Sequence, residues 1–561
     1  MKNFNNITRY LVFTIIIATI AFWNCKKKEE TQIIKRSIRS DIDIYLVPNK
    51  YNLLETNKTE IFKPVAHFNK SQLVSLLKPY KRKLEDLQTS NALSYLEKDD
   101  IIAMKVEGTS HSTIHPYDQD IPILFYGKWF QTGEYKDVIH LAHIVPTIAQ
   151  ILKIRNPNGI ETTPIKNILK TQEDSIPEII VTIVIDQGGK QVYDVHSDIP
   201  KTIQNLFKES AYFPNAQVGH IDSHTAAGHA SIGTGSYTGK HGIIGNTKFH
   251  WKNNQLIEQN IYINEKGEID TSNLKVETLA DVLDYELGNE VEVISQAHAM
   301  RASIGMAGHG SYLFKDSYVK GDQDFVYWIA NQSNKWETDP RFYSIHRIVA
   351  KYDPYRNYKR EYPRGKYDLR LRYKADFNKY WYYIMSTPAQ AKMESKLFME
   401  MIQQVIIKKK KHKDQLTDLA YLNLKSFDKA GHLFGWESLE ARETFLEIDK
   451  QIGIILEFLK KNYGDNFILV LTADHGCAPL PEISGGKRLK IETVFKEVNS
   501  LLPQESDESI IDYMTINQIS LDKKVMLKHN ITDKDVIQKI KNIEVDGKAF
   551  FKKVYSKFDL F

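Results

Sequence analysis

The chain has 561 residues, which at ~150 per domain leaves room for three or four units. A hydrophobic share of 42% with 26% charged residues excludes wholesale disorder, and 75 Lys+Arg against 70 Asp+Glu is too even for a dedicated nucleic-acid binder. Two cysteines, Cys25 and Cys477, exclude a disulfide framework, so the core must hold by burial.

In chain order, Lys2 and Arg9 lead into the apolar run Tyr10–Trp23. That run falls short of the ~20 residues of a spanning helix and suits a signal peptide over residues 1–24. Cys25 follows at once, with Lys26–Lys28, Glu29 and Glu30 as a polar tether. The arrangement resembles a bacterial lipoprotein signal, which implies lipidation at Cys25 and an extracytoplasmic, membrane-anchored protein. Phe22, Trp23 and Asn24 depart from the small residues usual before such a cysteine. An uncleaved anchor and an ordinary secretory signal therefore stay open.

Residues 25–65 read as a tether and an irregular segment with an exposed strand or two. Leu73, Leu76, Leu77, Leu84 and Leu87 give a helical pattern over 70–96. Ile101–Val106 and Ile121–Tyr126 read as buried strands, and Ile144–Leu152 as a helix before the loop at Asn156–Gly159. Ile179–Ile185 is nearly all β-branched, as a central parallel strand would be, and Phe467–Leu471 has the same character. Strands alternating with helices predict an α/β fold on one mostly parallel sheet, with ligands at the carboxyl ends of its strands. Residues 340–385 interleave tyrosines with arginines and read as part of an inserted subdomain more readily than as a polyanion-binding surface. Lys408–Lys411 and Lys413 read as a solvated helix end or loop.

Metal-ligand residue types follow apolar runs in three places: Asp186, the pair Asp474–His475, and Asp428 with His432 at i and i+4. Mixed carboxylates and imidazoles suit zinc or a similar divalent ion. Thr225 precedes small residues that can open a helix, which would set its hydroxyl at a positively polarised terminus. A threonine hydroxyl needs a base or a metal to become a nucleophile, and a bare helix cap is the competing reading.

Together the segments VIDQ (184–187), HTAAGHASIGTG (224–235), HGIIGN (241–246), SFDKAGHLFG (426–435) and LTADHG (471–476) resemble the alkaline phosphatase superfamily. The similarity is to the branch of threonine-nucleophile alkaline phosphatases and type I phosphodiesterase/nucleotide pyrophosphatases. It implies two divalent metal ions, zinc by preference. One would be held by Asp186, Thr225, Asp474 and His475, and the other by Asp428 and His432. Thr225 would be the nucleophile, and the Asn246 side chain would bind a phosphoryl oxygen. An alkaline-phosphatase-like sheet with an inserted cap subdomain at about 247–400 is the implied fold.

The family completes its second metal set with a histidine near its C-terminus, in a stretch like G-T-x-H-G. Here only His529 follows His475, in unlike surroundings, whereas residues 108–127 carry Gly-Thr-Ser-His111, then His115 and Tyr117–Asp118. This looks like the family's C-terminal motif displaced to the front, which implies a circular permutation. Residues 66–178 would then stand for the family's C-terminal part and 179–561 for the catalytic core. His111 is the better candidate ligand and His115 the lesser; the alternative is an unrelated front domain and an incomplete metal set.

The related phosphatases add a Lys and an Arg in a segment like S-x-K-x-R. Ser295–Ala302 offers Arg301 but has Ala299 at the lysine's place. The resemblance thus implies a phosphomonoesterase acting through a phosphothreonine, with phosphodiesterase/nucleotide pyrophosphatase as the alternative. A non-catalytic surface lipoprotein on the same scaffold is a second alternative. The expected partners are a small phosphate ester and, through the lipid, a membrane; no nucleic-acid partner is expected.

Overall fold

The structure is a computed structural model. It describes residues 30–55, 59–64, 101–106, 108–171, 173, 175–198, 200–314, 317–320, 324–329, 335–354, 385–409 and 414–560. The signal peptide expected over residues 1–24, Cys25, the helix expected over 70–96, most of the tyrosine–arginine stretch and residues 410–413 lie outside them. Among the described residues no helix is long and apolar enough to cross a membrane.

Nine strands build the central sheet. In chain order they are β1 (Asp120–Tyr126), β2 (Gly133–Glu134), β3 (Ile179–Ile185), β4 (Ala211–Gln217), β5 (Val293–Gln296), β6 (Phe325–Ile329), β7 (Trp336–Glu337), β8 (Asp418–Leu424) and β9 (Phe467–Thr472). Across the sheet the order is β7-β6-β5-β8-β3-β9-β1-β4-β2. The run β6-β5-β8-β3-β9 is parallel, and β1 lies antiparallel between β9 and β4. The α/β class and the mostly parallel sheet follow from this pairing.

Strand β3 is buried along its whole length, because each face has its own core. Ile179, Val181, Ile183 and Ile185 pack with Phe398, Met401, Phe445 and Ile452, while Ile180 and Val184 pack with Val145, Ile148, Ile232 and Ile304. Helices thus cover both faces, which is why this strand reads as a continuous β-branched run. The helices needed below are α1 (Thr225–Thr234), α2 (Met300–Ala307), α3 (Pro388–Ile402), α4 (Ser426–Phe434) and α5 (Leu439–Tyr463).

Two expectations are corrected. The segment 25–65 is not merely a tether, for Ile44–Pro48 is a fully buried strand. It sits in a second, six-stranded sheet between Gln518–Leu521 and Phe551–Ser556, where alternating Ile44 and Leu46 fill a core with Phe495 and Met514. Nor do the described residues of 247–400 form one separate insertion. The hairpin Thr247–Lys252/Gln255–Asn260 joins the second sheet, β5, β6 and β7 extend the central sheet, and α3 packs on its core. The strand Ile101–Val106 exists as half of a two-stranded ribbon with Thr59–Pro64, outside both large sheets.

Candidate metal centre and active site

Adjacent parallel strands β8, β3 and β9 end on one edge of the sheet, and the chain delivers Asp428, Asp186 and Asp474 just beyond them. Strand β4 runs the same way and leads to Thr225, the first residue of α1. Because β1 is antiparallel, its beginning lies at that edge, and the residues ahead of it bring in His111. The topology therefore gathers groups more than 350 residues apart at one crevice.

Two sets of donors lie within 4.8 Å of one another: His111, Asp428 and His475, and Asp186, His229 and Asp474, all buried. His432 Nε2 is 3.1 Å from Asp428 Oδ1, and its ring centre is 5.1 Å from that of His111. His475 Nε2 lies 3.2 Å from Asp474 Oδ2, 3.5 Å from Asp186 Oδ1 and 3.4 Å from Thr225 Oγ1. Asp186, Thr225, Asp428, His432, Asp474, His475 and His111 are thus all brought together.

Backbone carbonyls set the tautomers. Nδ1 of His111 donates to Ser223 O (2.5 Å), Nδ1 of His432 to Thr109 O (2.7 Å) and Nδ1 of His475 to Gly476 O (2.8 Å). A carbonyl only accepts, so in each ring the proton is on Nδ1 and the Nε2 lone pair is free for a metal. His229 differs. Its Nδ1 donates to Thr225 O (2.7 Å) and lies 3.3 Å from Asp474 Oδ2, while Nε2 accepts from Asn423 Nδ2 (2.9 Å). It orients Asp474 rather than offering a lone pair.

Burial drives the Asp186 carboxyl up to about 6, with the Asp474 charge adding to it and Lys425 opposing. Asp474 and Asp428 are also penalised by burial. For Asp474 the histidines His475 and His229 outweigh it, and for Asp428 His432 and Lys425 do, so both are held below the usual carboxylate range. Burial pushes the His111 imidazole far down, helped by His475, which keeps it neutral as a ligand must be. Three carboxylates this close need a cation, and the oxygen and nitrogen donors suit a divalent ion such as zinc. Asp474 Oδ2, buried without a hydrogen bond, is one oxygen such an ion would satisfy. The residues fit the group.

Beside Thr225, Asn246 Oδ1 accepts from the backbone N–H of Ala226, the second residue of α1 (2.9 Å). Arg301, half-buried in the first turn of α2, feels Asp186, Asp428 and Asp474, and burial lowers its pKa despite them. Its Nε is buried without a hydrogen-bond partner. The lesser candidate His115 lies elsewhere and bonds Pro48 O (3.0 Å), and His529, set aside in the sequence, pairs with Glu508 (2.8 Å).

Four residues of the centre escape sequence reasoning. Lys425 Nζ is 2.8 Å from Asp186 Oδ1, 2.7 Å from Asp428 Oδ2 and 3.1 Å from Thr225 Oγ1. Asn423 bridges Asp186 Oδ2 and His229. Gln187, at a left-handed φ of 67°, donates its backbone N–H to Asp474 Oδ1 (3.2 Å) and its Nε2 to Asp428 Oδ1 (3.3 Å). His229 is the fourth. The available signals were a polar residue inside the buried run LNL and a lysine directly after it.

The family model for type I phosphodiesterase / nucleotide pyrophosphatase matches residues 180–560. Alkaline phosphatase PafA of Elizabethkingia meningoseptica is 25% identical over 65% of this chain and 73% of its own. Alkaline phosphatase PhoV of Synechococcus elongatus is 27% identical over 62% and 72%. A Myroides odoratus protein named calcium-transporting ATPase is 24% identical over 68% and 76%. The crystal structure of wild-type PafA superposes with a TM-score of 0.47 at 20% identity, over 66% of this chain and 77% of that one. The class is that of phosphate-ester hydrolases of the alkaline phosphatase superfamily. Within it, the chain belongs to the type I phosphodiesterase / nucleotide pyrophosphatase family.

Proposed function

We propose that the protein is a zinc-dependent phosphomonoesterase that works outside the cytoplasm through a phosphothreonine at Thr225. The observation that carries this is the Thr225 hydroxyl, set at the first turn of a buried helix and facing Lys425 and His475 at the edge of the carboxylate–histidine cluster. Zinc held among these donors would neutralise charge developing on the phosphoryl and leaving oxygens. The hydroxyl loses its proton to water, and Oγ1 attacks phosphorus as the ester P–O bond breaks. The departing alkoxide takes a proton from water. The helix amides beside Thr225, the Asn246 amide and Arg301 hold the phosphoryl oxygens. Water then cleaves the Thr225–phosphate bond, releasing phosphate and restoring the hydroxyl.

Arg301 and Asn246 favour the monoester dianion, as do the names of the alkaline phosphatase relatives. Ala299, where a lysine would add a further contact, favours the diesterase reading and weakens the expected preference. Purified protein with zinc should hydrolyse p-nitrophenyl phosphate faster than bis-p-nitrophenyl phosphate, chelation should stop it, and Ala299→Lys should widen the gap. Preference for the diester would reverse the assignment, and no turnover of either ester would leave a binding scaffold. For location, the proposed lipid at Cys25 should send the protein into the detergent phase. Partition unchanged by Cys25→Ser would refute it.

We also propose that the chain is a circular permutation of the family order. The family match begins at residue 180, yet His111 reaches the cluster from residues before it. Thr109 and His432 are tied twice, by Thr109 N to His432 O (3.0 Å) and by His432 Nδ1 to Thr109 O.

A further inference from the structure

We propose that the Lys425 ammonium is built into the centre as its second cation, so that the protein binds one divalent ion rather than two. The inference rests on the metal-dependent reading above and changes its count.

The position is determined by the fold. Lys425 directly follows β8 and precedes the first turn of α4, and its side chain is only 2% exposed. Its Nζ reaches Asp186 on one side and Asp428 on the other, at 2.8 and 2.7 Å, and donates to Thr225 Oγ1 at 3.1 Å. Those three groups span the two ligand sets the family resemblance implies. One ammonium therefore stands between the places of two ions and takes an oxygen from each set.

The sets are not affected equally. Asp186 Oδ1 is ion-paired with Lys425 at 2.8 Å without a hydrogen bond, Oδ2 accepts from Asn423 Nδ2 at 2.9 Å, and the Thr225 hydroxyl accepts from Lys425. On the other side, His111 and His432 keep their Nε2 lone pairs, and Asp428 keeps Oδ1, which only the long Gln187 contact and His432 approach. His475 stands within reach of that side as well. The divalent ion belongs with His111, Asp428, His432 and His475, whose Nε2 lies 3.2 Å from the open Asp474 Oδ2, and Lys425 serves the nucleophile.

Charge points the same way. Asp186, Asp428 and Asp474 carry three negative charges, which one ammonium and one divalent ion cancel. Two divalent ions beside the ammonium would leave surplus positive charge in a buried site even before Arg301 is counted, and uncompensated buried charge is strongly disfavoured. A lysine ammonium is a compact point charge, suited to replacing an ion in this way. Beside Thr225 Oγ1 it would stabilise the alkoxide as a metal does.

The test is a metal count by mass spectrometry of the elements, on the full chain loaded with zinc and freed of excess. The wild type should hold one zinc per chain, and Lys425→Ser should hold two. Two zincs in the wild type would overturn the proposal, whether or not the variant folds; so would one zinc in a folded Lys425→Ser, shown by an unchanged circular dichroism spectrum. The count is independent of turnover. One zinc with no ester hydrolysis would sink the proposed activity and leave this inference standing, while two zincs with hydrolysis would do the reverse.

Discussion

His111, His432 and His475 present Nε2 to the cluster because each gives its Nδ1 proton to a carbonyl of its own surroundings. The protein therefore settles ligand geometry before any ion arrives. Asp186, Asp428, His432, Asp474 and His475 were picked out because ligand types follow apolar runs, and His111 only through the resemblance of its stretch to a family motif. Lys425, Asn423, Gln187 and His229 were not, since nothing in a sequence tells a buried, paired polar side chain from a solvated one. A further buried group lies three residues before Thr225. Asp222 accepts a bond from Gln518 Nε2, and burial pushes its carboxyl from 3.8 to about 8. The folded pKa is the higher one, so the stabilisation is full below the unfolded value and is lost as pH rises through about 8. Asp222→Asn should remove this loss, and its melting temperature should gain on the wild type between about pH 5 and pH 8. Parallel melting curves against pH would contradict that account.

Helix α1 carries Thr225 into the cluster only because its small residues let it pack closely. A Cβ at Gly228 would collide with the Asp474 carbonyl oxygen, and one at Gly233 with the carbonyl of Gly305 in α2. Gly233→Ala should therefore overpack the α1–α2 contact and lower stability by about 1–3 kcal/mol in denaturant unfolding. Unchanged stability would show that the two helices can separate. Strands β3 and β9 and the helix Ile144–Leu152 were legible, the first two as unbroken apolar runs and the third as an apolar segment ahead of a loop. Strand Ile44–Pro48 was misread because its partners, Gln518–Leu521 and Phe551–Ser556, come from the far end of the chain. Its burial depends on them, and no local pattern announces it.

The two ends of the described chain meet in the second sheet. Ile44–Pro48 pairs with Phe551–Ser556, and Glu30 bridges Lys552 and Lys553 at 2.9 Å. Ends so placed are what permutation requires, because joining them strains nothing. The proposed permutation rests on motifs standing out of the family's order, whereas the edge they share emerged only from the antiparallel placement of β1. A chain started near residue 176 and ended near residue 171, with residues 560 and 30 joined by a flexible linker, should fold and retain the wild-type zinc content. Failure to fold would mean that the front segment and the core do not form the interchangeable halves proposed here.

The most direct test of the account is to trap the covalent step. Protein mixed with a phosphate-labelled monoester and quenched in acid should carry label on one peptide, with phosphate on Thr225, and Thr225→Ala should lose both the label and nearly all turnover. Steady hydrolysis by the wild type with no phosphate on Thr225, and undiminished in Thr225→Ala, would contradict it.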